Sequence, residues 1–463
     1  MITDEYMNKT RGKKVLVVGA GLAGSEAAFF LARHGIEVVL VEAKKKTPNP
    51  AQKLETYAEL VCSNSLKSMK PETGHGLLKK EMEDLGSLIL EVASEVTVPA
   101  GNAMAVDRVE FSRIITEKLK NSDKITIVEE EVADPVDFAH KFDCDDVIVA
   151  SGPLTTKPLE DWIRSIISKD DFYFYDAIAP VVELDGLDLS KLYFKDRYKD
   201  PVNDDVKADY LNAPFNKDEY ERFIEELLKA NKVPARDFEK WVFFEGCLPI
   251  DLMAERGEDT PRFSCMKPVG LEKEDGSRPY AAVQLRRENL PGDAFNIVGF
   301  QTRLTYKEQL RVFRMIPGLE NANFIHYGSV HRNSFLHSKK VLNFDLSSKK
   351  FPDLYFAGQI TGVEGYTESA AIGIYVAYQI VRKINADEVK QWPCETAIGA
   401  LINYLMTADK PRPNNIHFGL LPNVDVKKPK RISRQEYKKM RKMMVYDRAR
   451  KVFESFFHDY VLF

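Results

Sequence analysis

Two textures of apolar residues organise the N-terminal part of the chain: short unbroken runs of branched residues, and longer stretches where apolar positions recur every three to four residues. Lys13-Lys-Val-Leu-Val-Val18 is of the first kind, and its lack of polar alternation predicts a strand covered on both faces. A helical pattern follows through Glu26, Ala27, Phe30 and Leu31 to Gly35, and a second buried strand, Glu37-Val-Val-Leu-Val41, ends at Glu42. The same kind of run returns at Asp145-Asp-Val-Ile-Val-Ala-Ser-Gly152 and at Asp353-Leu-Tyr-Phe-Ala-Gly358, the latter leading towards a helix predicted over 372–384. Strand, helix and strand in this order predict an α/β fold with a Rossmann-like parallel sheet. From 193 to 323 the texture changes to charge clusters, tyrosines and scattered strands, which reads as a smaller inserted α+β domain. The organisation expected is a discontinuous dinucleotide-binding domain over 12–192 and 324–425, the insertion over 193–323, and a helical tail over 426–463. Inside the insertion, Asn216-Lys-Asp-Glu219 has the form of a capping box opening a helix through Tyr220, Phe223, Ile224 and Leu227.

The join between the first strand and its helix carries the first chemistry. Gly19, Ala20, Gly21, Leu22, Ala23 and Gly24 spell G-x-G-x-x-G directly after the strand. Gly19 allows the tight turn, Gly21 lets a pyrophosphate approach the backbone, and Gly24 lets the helix pack closely. Glu42, 23 residues beyond Gly19, is placed to accept ribose hydroxyl hydrogen bonds. Gly152 ends a further strand in a small-residue turn. The stretch containing Gly358, Gln359, Gly362, Gly365, Tyr366 and Thr367 is a late glycine-rich return to the same sheet, which suits FAD because that cofactor spans more of a sheet than NAD does.

Composition narrows the class. The 463 residues are 44% hydrophobic and 29% charged, as in a soluble globular chain of two or three domains. Five cysteines at 62, 144, 247, 265 and 394 form no C-x-x-C pair, so neither a zinc site nor a disulfide framework is expected, and no metal is assigned. The first ten residues lack a secretory pattern, and Glu26 with the glycine spacing argues against a membrane span at 15–32, so a cytoplasmic location is expected. A net charge of −4 hides an asymmetry: 427–451 holds twelve Lys/Arg against Glu436 and Asp447, a local +10, which leaves −14 elsewhere. Tyr437, Met440, Met444, Val452, Phe453 and Phe456 recur there at helical spacing. This predicts a helix with one packed and one basic face, the latter either merely solvated or a phosphate-binding surface. Cys62 sits among Ser63, Asn64 and Ser65 after a possible helix end, and Cys247 lies between Gly246 and Leu248-Pro249. Either is a small hydrophobe or a reactive thiol, whereas Cys144, Cys265 and Cys394 read as buried packing residues.

Several longer stretches carry a resemblance: Leu60-Val-Cys-Ser-Asn-Ser-Leu-Lys-Ser68, Tyr173-Phe-Tyr-Asp-Ala-Ile-Ala-Pro180, Phe244-Glu-Gly-Cys-Leu-Pro-Ile250, Val312-Phe-Arg-Met-Ile-Pro-Gly-Leu-Glu320 and Gly358-Gln-Ile-Thr-Gly-Val-Glu-Gly365. From about 14 to 424 the chain resembles the TrmFO family of folate- and FAD-dependent RNA (uracil-5-)-methyltransferases. The resemblance implies methylenetetrahydrofolate as carbon donor, reduced FAD as hydride donor, NADH or NADPH as reductant, and a uridine in structured RNA as substrate. By the same resemblance Cys247 is the nucleophile at uracil carbon 6, and Cys62 is the second cysteine, assisting proton removal at carbon 5. Tyr366 is expected beside the flavin, and Arg286, His331, Arg332 and Asn333 in a folate or RNA cleft. Lys67, Lys70 and the basic tail are candidate phosphate partners for an RNA whose target base is splayed into the site. The chain departs from the family pattern at Asn212-Ala-Pro214, Lys273-Glu-Asp-Gly276, Asn102 and Cys265, none of which touches the two cysteines or the glycine turn. The T-loop uridine of tRNA is the usual family target, and a diverged branch, RlmFO, acts on 23S rRNA. Both remain open, as does an RNA-binding flavin oxidoreductase that transfers no methyl group. The related MnmG family is longer, with a helical C-terminal domain.

Overall fold

The computed structural model describes residues 10, 12–49, 51–166, 172–197, 208–233, 248–409, 412–426, 429 and 432–458, with backbone alone over 172–178 and 330–332. The continuous apolar runs pair side by side. β1 (Lys14–Val18), β2 (Glu37–Val41), β3 (Ile125–Val128), β4 (Asp146–Val149) and β5 (Leu354–Phe356) form a parallel sheet in the order β5-β4-β1-β2-β3. Val15, Leu16 and Val17 are fully buried, as a strand covered on both faces requires. The crossover helix α1 (Leu22–Arg33) lies against α2 (Tyr366–Ile384), and small residues set their approach. A Cβ at Gly373 would lie 2.3 Å from Ala23 O. The fold is thus the mixed α/β, Rossmann-type arrangement expected.

The helix expected over 372–384 starts six residues earlier, at Tyr366. Its first turns hold Thr367, Glu368 and Ser369, polar residues that are nevertheless buried, so an apolar repeat does not mark them. Every residue from 367 to 381 is buried, which makes α2 the central helix of the larger core.

A second, antiparallel sheet takes its strands in the order Tyr193–Phe194, Tyr210–Phe215, Ala281–Arg287, Ala294–Ile297, Val181–Glu183 and Phe324–His326. It has its own core of Phe215, Phe223, Phe295, Phe300 and Phe313. The capping box forms there: Glu219 N donates to Asn216 Oδ1 at 2.9 Å, and Asn216 N donates to Glu219 Oε2 at 2.8 Å. The ribbon Phe172–Ile178 with Ser329–Phe335 runs between the sheets, and Ser65–Ser68, Ala103–Val106 and Thr97–Val98 form a smaller three-stranded sheet.

The terminal helix α3 (Arg434–Phe456) packs through Val445, Ala449 and Phe453, and Phe457 just beyond it stacks edge-on to Trp392 at 4.9 Å. This corrects the predicted packed face, of which Phe453 alone is fully buried and Met444 is exposed. In the first three turns Tyr437 and Met440 are only half-buried, and Tyr437 Oη donates to Val426 O at 2.5 Å, so the apolar periodicity there is only partly covered. Among the described residues no helix is long and apolar enough to cross a membrane, and no cluster of three His, Cys, Asp or Glu is set to hold a metal.

Candidate functional site

The glycine turn lies at the C-terminal ends of the parallel strands, where open α/β sheets bind ligands. Gly19 has φ +102°, and a Cβ there would sit 2.6 Å from Ala150 O, so the position tolerates glycine alone. A Cβ at Gly24 would fall 1.8 Å from Gly19 O, which is how closely α1 packs on the turn. At Gly21 a Cβ would meet nothing within 4 Å. Open space therefore borders the start of α1, whose first N–H groups lack intrahelical acceptors. Glu42 is held next to it: Oε2 accepts from Ala20 N at 2.8 Å and Oε1 from Lys44 N at 2.9 Å. Gly152, at the end of β4, has φ +71° and open space beside it. At Gly358 (φ +81°) a Cβ would lie 2.7 Å from Ala23 Cβ, so the late glycine-rich segment packs against Ala23 of α1. Gln359 Nε2 donates to Glu364 Oε2 at 2.7 Å, Gly362 and Gly365 have φ of +98° and +111°, and Thr367 Oγ1 donates to Glu368 Oε2 at 3.0 Å. Open space at Gly21, a pinned carboxylate and a helix N-terminus together fit an adenine dinucleotide.

Cys62 lies in an irregular loop, not after a helix as expected, because residues 55–61 make bends that are fastened from outside. Tyr366, the first residue of α2, supplies one fastening: its Oη accepts from Cys62 N at 2.6 Å and Ser63 N at 3.1 Å. Burial pushes this phenol well above its ordinary value, and Cys62 beside it adds to the effect, so it stays protonated. Asn64 supplies another. Fully buried, it donates through Nδ2 to Val106 O and Arg287 O, both at 3.0 Å, and accepts from Arg286 Nε at 3.0 Å. Arg108 Nη1 donates to Leu60 O at 3.1 Å while its Nη2 pairs with Glu288. The loop thus takes its shape from α2, the three-stranded sheet and the antiparallel sheet.

The other expected residues divide. Arg286 is buried with its Nε on Asn64. His331 and Arg332 stand opposite Asp176 and Tyr175 in the connecting ribbon, and Asn333, opposite Phe174, is buried. Cys247 lies outside the described residues. Burial raises the Cys144 thiol to about 11 and the Cys265 thiol to about 12, and that of Cys394 also rises, so all three are poor nucleophiles.

Sequence reasoning missed Asn64, Arg108, Glu288 and the pair Glu368–His75. Glu368, fully buried in the first turn of α2, accepts from Ile416 N at 3.1 Å and lies 3.2 Å from His75 Nδ1. Burial opposes its charge, but Lys67 and His75 outweigh that and hold the carboxyl at about 2. The available signal was a glutamate one turn into a helix led by three glycines.

Comparison with known proteins agrees with this geometry. The family described as Glucose inhibited division protein A (GIDA) matches residues 14–388. A relative from Aquifex aeolicus named methylenetetrahydrofolate–tRNA-(uracil-5-)-methyltransferase TrmFO is 48% identical over 92% of this chain and 93% of its own length. One of the same name from Persephonella marina is 47% identical over 96% and 98%. Among solved structures, Aquifex aeolicus GidA covers 96% of this chain and 73% of its own at 17% identity with a TM-score of 0.66, which shows a shared fold. On these matches the chain belongs to the TrmFO family within the wider GIDA family.

Proposed function

We propose that the protein methylates carbon 5 of a uridine in tRNA, with methylenetetrahydrofolate as carbon donor and FAD as bound cofactor. The observation that carries this reading is the 48% identity, over nearly the whole chain, to a relative of that named activity. When bound, FAD in its reduced form would supply the hydride that completes the methyl group, and NADH or NADPH would renew it. The chain's own residues do the rest. Gly21 and the first turn of α1 take the pyrophosphate, Glu42 the ribose, and the segment from Gly358 to Thr367 borders the flavin ring.

Uracil carbon 5 is a weak nucleophile until a thiolate adds at carbon 6. Cys247 forms that carbon–sulfur bond, and the electron pair moves to carbon 5, which bonds to the folate methylene. Cys62 takes the carbon 5 proton as general base, and the electron pair it frees expels the folate nitrogen, which leaves the methylene on carbon 5 to receive the hydride. The Cys247–carbon 6 bond breaks at the end and returns the thiolate. Tyr366, by accepting from Cys62 N and Ser63 N, sets where the Cys62 loop stands.

Tritium release from tRNA labelled at uracil carbon 5, with folate and reductant present, tests the reaction. Release is expected from the native protein and is lost in Cys247→Ala; a yellow, FAD-loaded protein that releases none sinks the reading. Mapping 5-methyluridine in cells lacking the protein tests the substrate: loss at the tRNA T-loop is expected, and loss in 23S rRNA with tRNA intact overturns it.

A further inference from the structure

Two lysine pairs, Lys339-Lys340 and Lys349-Lys350, stand apart in the sequence, and the fold brings them together. Lys349 Nζ donates to Lys339 O at 2.8 Å and Lys340 O at 3.2 Å, closing carbonyls at the end of the short helix Ser338–Val341. Lys339 Nζ donates to Thr407 O at 3.1 Å and pairs with Asp409. Arg412 follows shortly after, and its O accepts at 2.7 Å from Tyr404 Oη, on the same helix (Ala397–Thr407) as Thr407. Lys340, Lys349 and Arg412 are all exposed.

Positive charge on this surface is left unbalanced. Carbonyls anchor Lys349 without neutralising it, and an ammonium already held in place loses less side-chain freedom on meeting an anion. The acids of these segments are engaged: Asp409 pairs with Lys339, Asp345 accepts from Ser347 N and Oγ, and Glu364 is buried and accepts from Gln359 Nε2. Burial, and then Lys340 and Lys339, hold His337 below its ordinary value. Both basic segments are also fastened to the glycine-rich stretch that leads into α2. Ser338 Oγ donates to Thr361 O at 2.6 Å and Leu336 N to Ile360 O at 2.7 Å, while Glu364 N donates to Asn414 O at 2.9 Å. A Cβ at Gly362 would lie 3.4 Å from Leu405 and 3.5 Å from Phe335, so the packing there is close.

We propose that Lys340, Lys349 and Arg412 form a phosphate-binding rim that holds the RNA backbone beside its target uridine. A base splayed from its loop leaves its flanking phosphates at the entrance through which it passed. Cations bonded into the segment that borders the flavin are placed to meet them. Arg412 can grip a phosphate with two N–H groups, and the lysines act as point charges that fix register without reading sequence. The inference rests on RNA being the substrate and adds where that RNA is held.

Filter binding of tRNA to the full-length, FAD-loaded protein tests the rim. Lys340→Glu combined with Arg412→Glu is expected to raise Kd for tRNA by about tenfold or more at low salt, a difference that shrinks as salt rises. Both side chains are exposed, so bound FAD and the thermal midpoint are expected to stay as in the native protein. Lys340→Arg combined with Arg412→Lys keeps both charges and is expected to bind tRNA as the native protein does. Native affinity in the charge-reversed variant overturns the proposal, and so does an equal loss in the variant that keeps the charges. Tritium release separates the two readings. Release by the native protein, with tRNA binding untouched by charge reversal, sinks the rim alone. Binding that depends on the rim, with no release, sinks the methyl-transfer reading and leaves the rim; a native protein that binds no tRNA overturns both.

Discussion

Asn64 stands two positions beyond Cys62, and its amide joins backbone carbonyls 42 and 223 positions away to a guanidinium 222 positions away. An amide that makes several buried hydrogen bonds is hard to replace, because each partner left behind is a desolvated polar group. Asn64→Ala is therefore expected to lower stability by about 2–4 kcal/mol, on the basis of about 1–3 kcal/mol for each buried group left unpaired. Urea unfolding measures this, and unchanged midpoints would mean that solvent reaches Arg286 and Arg287 O. The turnover number is expected to fall as well, because the loop carrying Cys62 loses its register. At this scale the sequence is uneven. Gly19 and Gly24 were legible because a glycine at fixed spacing encodes a backbone shape locally. Asn64 and Glu288 were not, since what singles them out is the company they keep across the fold.

Helices of the larger core are fastened by acids from other helices. Glu26 in α1 accepts from Ile89 N at 2.9 Å, and Glu81 in the helix Gly74–Asp84 accepts from Ala397 N at 2.7 Å and Ile398 N at 3.0 Å, each at the start of another helix. Helix N-termini favour such carboxylates. Burial works against them and raises Glu26 to about 7 and Glu81 to about 8. Both folded values lie above the unfolded value of 4.5, so between these limits the folded state binds more protons than the unfolded. Their contribution is therefore full below pH 4.5 and is lost as pH rises through 7 and 8. Glu368, held at about 2, has the opposite sign and loses its contribution as pH falls from 4.5 towards 2. The thermal midpoint is expected to decline from about pH 5 to 8, by the equivalent of a few kcal/mol. Glu81→Gln is expected to flatten the alkaline side of that curve; an unchanged slope would mean the two N–H bonds already hold Glu81 ionised near neutrality. The start of α2 was misplaced in the sequence for a related reason. A buried acid at a helix start looks like a surface residue until its partner, here Ile416 N, is known.

Across the whole molecule, the parallel sheet followed from the apolar runs, because a strand buried on both faces leaves a one-dimensional trace; the strand order and the edge strand Ile125–Val128 did not. Convergence of separate sheets on one loop leaves none. Leu290 N on Asp107, Asn64 on Arg287 O, and Tyr210 Oη on Ala100 O all join the antiparallel sheet to the borders of the small three-stranded sheet, with no pattern in the intervening residues. The basic tail is the remaining whole-molecule feature, and packing now divides it. Arg448 bonds Pro422 O and Arg450 pairs with Asp84, so these charges hold α3 to the body. Lys438, Lys439 and Lys442 stand exposed on the first turns of α3, and Lys439 approaches Glu72 at only 4.0 Å. If these three contact RNA phosphates, each releases counterions, and the slope of log K against log salt carries about −0.7 to −0.9 for each contact. Lys438→Ala, Lys439→Ala and Lys442→Ala combined are thus expected to make the slope shallower by about 2 while bound FAD stays constant. Filter binding of tRNA across a salt series reads this directly. A slope equal to that of the native protein would leave the first turns of α3 as a solvated face, and would move the search for phosphate contacts to Lys67, within the strand Ser65–Ser68 that runs on from the Cys62 loop, and Lys70, just beyond it.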